Sequence, residues 1–168
     1  MRLSLDEIID WKDFEALVHA FFLREKELKR ISDIINITVK KSGTGPDDGQ
    51  DILLEIIVTD GITEFTRTWV VQCKFYEEAI APSHLDGDGI PTLIHSYGAD
   101  GYLLICKKDP SAKLTRMFER LNSICRFSYK YEIWTGEQFC RNIETQNDSV
   151  IIGRYFPKYA DYLKEKNK

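Results

Sequence analysis

Three residues of this chain form a set suited to hydrolysis at phosphorus. Asp51 heads an apolar, β-branched run (DILLEIIV), and Gln72 and Lys74 sit inside a second one (TWVVQCKFY). Cutting a phosphodiester calls for a divalent ion, which neutralises the phosphate and makes hydroxide available near neutral pH, and for a cation close to the water or the scissile group. Such an ion prefers hard oxygen ligands. Alternate residues of an extended strand share a face, so Gln72 and Lys74 point one way and Cys73 the other. A Gln and a Lys among valines are costly to bury unless something pairs with them, and an Asp-lined, metal-holding cleft is such a partner. The preceding loop, Gly45-Pro46-Asp47-Asp48-Gly49-Gln50-Asp51, fits this reading because its glycines let the backbone turn sharply and approach a phosphate. Taken alone, the loop also reads as an ordinary acidic hairpin turn.

The elements that must position this set follow from periodicity. From Asp10 to about Lys29 the residues Trp11, Phe14, Leu17, Val18, Phe21, Phe22 and Leu28 recur at helical spacing, which predicts an amphipathic opening helix. A strand is expected from Ile35 to Lys41, then the turn-rich SGTGPDDGQ, then a strand from Asp51 to Val58. Asp60-Gly61 predicts a hairpin, with Phe65 to Tyr76 returning antiparallel to it. After the loop EEAIAPSHLDGDGIP, the segment TLIHSYG reads as the end of a helix and Gly101 to Cys106 as a buried strand. Pro110 and Ser111 open a helix whose Leu114, Met117, Phe118, Leu121 and Ile124 share a face. Tyr131 to Trp134 reads as a last strand. Thr135 or Gly136 then caps a helix carrying Phe139 and Ile143, and the tail from Val150 is expected to be helical. The expectation is an α/β domain with a central mixed sheet of four or five strands flanked by helices.

Other polar residues have competing readings. Glu15 lies between Phe14 and the Leu17-Val18 pair, close to the apolar face, which favours a third metal ligand over a solvent-facing acid. His19, one turn further on, reads better as a partly buried surface residue than as a general base. His84 and His95 earn no catalytic role, and His95 is expected against the sheet. Trp69, Trp134 and Tyr102 are most economically core residues. Lys107, Lys108, Lys113, Arg116 and Arg120 form a basic cluster around Pro110. A solvated helix face is its default reading and a phosphate-contacting patch the alternative.

Composition bounds the choice. With 168 residues and 43% hydrophobic content the chain can bury one core and is expected to be a single domain. Its opening residues carry Asp6, Glu7 and Asp10 and no long apolar run, so neither a signal peptide nor an anchor is expected, and the cytoplasm is the expected location. Cys73, Cys106, Cys125 and Cys140 are scattered and lack a C-x-x-C pair, which favours reduced thiols over zinc or disulfides. A formal charge of −4 counts against a surface that is everywhere a polyanion sink.

FEALV on the first helix, GPDDGQD opening a strand, WVVQCKFY, and ADGYLLICKKDPSAKL resemble, in that order, the Mrr-like branch of the PD-(D/E)XK nucleases in its Gln-x-Lys variant. The restriction-endonuclease-like domains at the N-termini of bacterial signal-transducing defence NTPases are the most similar group, and the resemblance covers roughly residues 11–143. It implies a restriction-endonuclease-like fold and a Mg²⁺- or Mn²⁺-dependent endonuclease acting on DNA, as an effector of restriction or antiviral defence. Asp51 falls on the metal-binding aspartate of the D-x-G-x-D pattern, with Asp47 and Gly49 before it. Gln72 and Lys74 fall on the Q-x-K pair, and Glu15 on the helical glutamate. The ligands implied are Asp51, Gln72 and Glu15, and Lys107, Lys108, Lys113 and Arg116 are the expected DNA contacts. Expected partners are DNA and either a second copy or a fused or associated sensor NTPase. Two departures stand out. Asp48 replaces a usual glycine, and residues 77–89 carry Glu77, Glu78, Asp86 and Asp88 with no Lys or Arg. Rival readings are a non-catalytic DNA-binding or assembly module of the same fold, and a nuclease acting on RNA.

Overall fold

A computed structural model describes residues 1–28, 34–42, 51–85, 89–124 and 126–166, with the side chains of Leu28, Lys41, Ser42 and Asp51 outside that description. After a 3-10 turn at Leu5–Glu7 come α1 (Trp11–Leu28), β1 (Ile34–Ser42), β2 (Asp51–Thr59) and β3 (Glu64–Lys74). They are followed by α2 (Ile90–Tyr97), β4 (Gly101–Cys106), α3 (Ala112–Ile124), β5 (Lys130–Trp134), α4 (Gly136–Gln146), α5 (Ser149–Tyr155) and α6 (Pro157–Lys166). The strands form one five-stranded mixed sheet in the order β1-β2-β3-β4-β5. The first two pairings are antiparallel and the last two parallel. Asp60 makes the β2–β3 hairpin by accepting the amides of Ile62 and Thr63 at 2.9 and 3.0 Å, while Gly61 takes the positive φ that the turn requires.

Helices cover both faces of the sheet, and the period-two alternation of β3 feeds two cores. Val71 belongs to the core under α1, α4 and α5, together with Phe14, Leu17, Ile52, Phe139 and Ile151. Val70 belongs to the core under α2 and α3, with Ile94, Tyr102, Leu104, Leu114 and Phe118. Both valines are wholly buried. β4 is buried along its entire length, as its unbroken apolar run predicts for a central parallel strand.

Caps and close approaches set the helix starts. Asp10 Oδ1 accepts the Asp13 amide at 2.8 Å at the head of α1. Of the two candidate caps for α4, Thr135 does the work, its hydroxyl accepting from the Gln138 amide at 3.1 Å. Gly136 is the first helical residue and has a different duty: a Cβ there would lie 2.1 Å from the Lys107 carbonyl oxygen, so only glycine lets α4 start hard against the end of β4. The helical tail is two helices, because Asp148 starts α5 and Pro157 opens α6.

Asp148 ties this tail to α1. Its Oδ1 caps α5 through the Val150 and Ile151 amides, both at 2.9 Å, and its Oδ2 accepts from Arg24 Nε at 2.7 Å. Burial pushes the carboxyl pKa up, but the Ile151 amide, Arg24 and the Val150 amide outweigh that and hold it below the usual aspartate range. A depressed pKa of this kind contributes stability above the unfolded-state value of about 3.9, and that contribution disappears as pH falls through the folded value. Asp148→Ala is expected to cost about 2 kcal/mol at pH 7. In urea melts across pH the gap between parent and variant should narrow below about pH 4, and a gap that stays constant into acid would contradict the assignment.

Candidate active site

Gln72 and Lys74 lie at the C-terminal end of β3, on the face that carries Val70 and is covered by α2 and α3. Both are partly buried. The antiparallel register pairs Ile52 with Val71, so one further step puts Asp51 at the position opposite Gln72. The parallel register pairs Gln72 with Leu104 and Lys74 with Cys106. The sheet thus brings the head of β2 and the tail of β3 together at one end, with the carboxamide and ammonium on the same face. The Asp51 side chain and residues 43–50, including Asp47, Asp48 and Gly49, lie outside the described residues.

Sequence reasoning placed Tyr102 only in the core and missed a further neighbour of Gln72. The side chain of Tyr102, on β4, is wholly buried against Phe118, and its hydroxyl donates to Gln72 Oε1 at 2.5 Å. Nothing in the one-dimensional pattern marks this, because it depends on the parallel β3–β4 register, which pairs Val70 with Tyr102.

Glu15 is 8% exposed, so it is not a solvent-facing acid. Its helix lies over the opposite face of the sheet, where Phe14 packs on Phe75 with ring centroids 5.7 Å apart. That contact sets this part of α1 beside the segment that leaves the C-terminal end of β3.

The basic cluster separates into parts. Lys107 is a correction to the expected DNA-contacting set. It follows Cys106, so alternation turns it onto the face opposite Lys74, where its side chain is 5% exposed. There its ammonium pairs with Glu77 at 2.5 Å, sits 4.2 Å over the Phe75 ring and donates to the Ile8 carbonyl at 3.4 Å. Lys108 is half-exposed and pairs with Asp6 at 3.3 Å. Lys113, Arg116 and Arg120 are exposed on one flank of α3 and, with Pro82, Met117, Leu121 and Ile124, line a groove of about 510 Å³ on the side of the sheet that carries Lys74.

His84 and His95 each pack against aromatic neighbours. His84 accepts the Ala81 amide on Nδ1 at 3.1 Å and stacks on Tyr76 at 4.4 Å. His95 is exposed beside Phe127 and Tyr129 instead of packing on the sheet, because it falls on the outer side of α2 while Ile94 takes the buried one. Burial pushes the thiols of Cys106 and Cys140 up, to about 12 and about 11, so both stay protonated and inert at neutral pH. Cys125 lies outside the described residues. Among the described residues no three His, Cys, Asp or Glu side chains converge.

With this geometry in place, comparison decides the family. The model of the Mrr catalytic domain, described as a restriction endonuclease, matches residues 6–142. The chain belongs to that restriction endonuclease family. Among solved structures, the DNA modification-dependent restriction endonuclease AspBHI superposes with a TM-score of 0.50 at 12% identity, over 91% of this chain and 42% of that one. The MspJI restriction endonuclease, solved with a 27-mer oligonucleotide, superposes with a TM-score of 0.46 at 11% identity, over 92% of this chain and 39% of that one. This restriction endonuclease domain therefore spans less than half the length of the solved enzymes it resembles, and at such identity the superposition with AspBHI speaks for the fold alone. No curated protein matches the chain. No described helix is long and apolar enough to cross a membrane.

The corrected place of Lys107 has a measurable consequence. Lys107→Met removes the ammonium from Glu77 and the Ile8 carbonyl while keeping much of the stem. It is expected to lower stability by about 1–3 kcal/mol in a denaturant melt, whereas Lys113→Met, on an exposed helix flank, should change it by less than about 0.5 kcal/mol. Equal effects would put Lys107 back on the surface.

Proposed function

We propose that this domain is a metal-dependent endonuclease that hydrolyses DNA. The observation that carries the reading is the pairing of Gln72 and Lys74 on one face at the end of β3, directly across from the head of β2, where Asp51 sits, in a chain of the restriction endonuclease family. The donors are oxygens of Asp51, Gln72 and Glu15, a set that fits Mg²⁺ or Mn²⁺ and not a soft-ligand metal. When bound, such an ion neutralises the scissile phosphate and lowers the pKa of water.

The chain's own residues supply the rest. Lys74 places a positive charge beside the reacting phosphate, where it orients the attacking water or offsets the charge that develops at phosphorus. Its neighbour Cys106 is wholly buried and its thiol stays neutral. Gln72 brings an oxygen without adding charge, so the ion is held by fewer negatives than in the carboxylate form of the fold. Lys113 and Arg116, with Lys108 at the rim, hold the DNA backbone, and Lys107 props the fold behind them. The exposed acid Glu78 on the segment after β3 keeps that grip weak, which suits a domain brought to its substrate by a second copy or by a fused or associated sensor NTPase in a cytoplasmic defence system.

Purified protein incubated with plasmid, linear DNA and RNA, in Mg²⁺, Mn²⁺ or EDTA, tests the proposal. DNA cleavage should need the divalent ion and fall at least about a hundredfold in Asp51→Ala and in Lys74→Ala, with both variants folded. Undiminished cutting by folded Asp51→Ala would overturn the assignment at this site. Binding without cutting in any metal would favour the non-catalytic module, and cleavage of RNA alone would replace the substrate. Lys113→Ala with Arg116→Ala should weaken retention of DNA at low salt about tenfold without moving the melting temperature, and unchanged retention would remove α3 from the interface.

A further inference from the structure

Phe127 is a large aromatic side chain that neither core uses. It lies in the turn between α3 and β5 and is 69% exposed. It is nevertheless held in a defined place. Its ring stacks on Tyr129 with centroids 5.6 Å and planes 24° apart, and the His95 ring of α2 stands edge-on to both, at 5.9 and 5.6 Å. Tyr129 anchors the group, since it packs against the core under α2 and α3 and its hydroxyl lies 3.5 Å from His95 Nδ1. Between the two stacked rings Ser128 takes a φ of 59°, which a residue with a Cβ seldom adopts. The stack also stands at the end of a basic track. Lys113, Arg116 and Arg120 line the groove along α3, which reaches the exposed Ile124 in the last turn, while Glu119, the only acid of that helix, does not line it. The 13 residues of α3 carry this flank about 20 Å. It runs from the end of the sheet that holds Lys74 to the opposite end, where the exposed Arg126 leads into Phe127.

We infer that Phe127, backed by Tyr129 and His95, is a stacking platform for an unpaired base of the DNA whose phosphates lie along α3. Phosphate contacts account for the lysine and arginines of the helix but leave an open aromatic face at its end without a purpose. A nucleobase covers such a face well, because every base has a π-face and one more ring extends the stack already built. A base inside a duplex has both faces covered by its neighbours. The platform therefore selects DNA with a single-stranded extension or an opened segment, and reads no particular sequence. The inference rests on the DNA reading above and deepens it by naming the substrate class.

Fluorescence anisotropy on the intact chain, in EDTA and again in Ca²⁺, tests it with two DNAs of equal charge. One is a duplex with a single-stranded extension, and the other is the same molecule with an abasic extension. The parent should bind the first about tenfold more tightly. Phe127→Ala should bind both alike, at the parent's affinity for the abasic one, and Phe127→Trp should keep the preference. The indole introduced in Phe127→Trp should also be quenched by the first DNA and not by the second. Lys113→Ala with Arg116→Ala should instead weaken both by the same factor. Because Phe127 belongs to neither core, its variants should melt with the parent. A parent that binds both DNAs equally, or a Phe127→Ala variant that keeps the preference, would overturn the inference and leave the DNA reading standing. Light scattering that shows a parent dimer lost in Phe127→Ala would make the stack an interface between copies, and would overturn it too. A parent that binds neither DNA in either condition would remove both readings.

Discussion

The two-sidedness of β3 governs most of this molecule. The strand lies in mid-sheet with helices over both faces, so each step along it changes the core that receives the side chain. Val70 and Val71 are wholly buried on opposite sides. Gln72 and Lys74 continue the Val70 side, and Phe75 continues the other. A one-residue slip in register would send the carboxamide and ammonium under α1 and put Cys73 in their place. The burial of both valines makes such a slip expensive, so apolar packing along the strand holds the polar pair in position at its end.

The same alternation explains why adjacent basic residues differ in fate. Lys74 ends β3 on one face, and Lys107, one step past the end of β4, falls on the other, although the Lys107 amide donates to the Lys74 carbonyl at 3.0 Å. Burying the Lys107 ammonium would be costly alone, but Glu77, the Ile8 carbonyl and the Phe75 ring offset the lost hydration. The result joins the N-terminal segment, the exit of β3 and the end of β4, and Gly136 lets α4 close against the Lys107 backbone. The end of the sheet that carries the candidate site is thereby braced from behind.

A second constraint is polar satisfaction within the cores. Gln72 reaches into the core of α2 and α3, and the Tyr102 hydroxyl meets its oxygen there. On the other face Gln146 donates to the Phe21 carbonyl at 3.0 Å and to Glu25 at 2.8 Å, and Asp148 pairs with Arg24, so the α4–α5 junction is held to α1 by polar contacts under an apolar roof. Buried polar groups of this kind keep packed surfaces from sliding, since any shift leaves a desolvated donor or acceptor without its partner.

How much was legible beforehand follows from the range of each interaction. The period-3.6 pattern of α1, the Asp60-Gly61 turn, the unbroken apolar run of β4 and the shared face of α3 are local, and the elements stand where that chemistry predicts. The ordered segments FEALV, WVVQCKFY and ADGYLLICKKDPSAKL likewise carried the family, and alternation alone paired Gln72 with Lys74. Contacts between distant strands were not legible. The parallel β3–β4 register that brings the Tyr102 hydroxyl to Gln72 and the turning of Lys107 into the fold each depend on which residues lie opposite one another. His95 likewise faces outward for a reason of helix rotation that its short apolar segment does not reveal. The sequence by itself determined the periodicities, the turns and the residue types at the end of β3. Only the tertiary structure decided which neighbours those residues meet, because registry between strands is chosen by the packing of two cores at once and not by any segment alone.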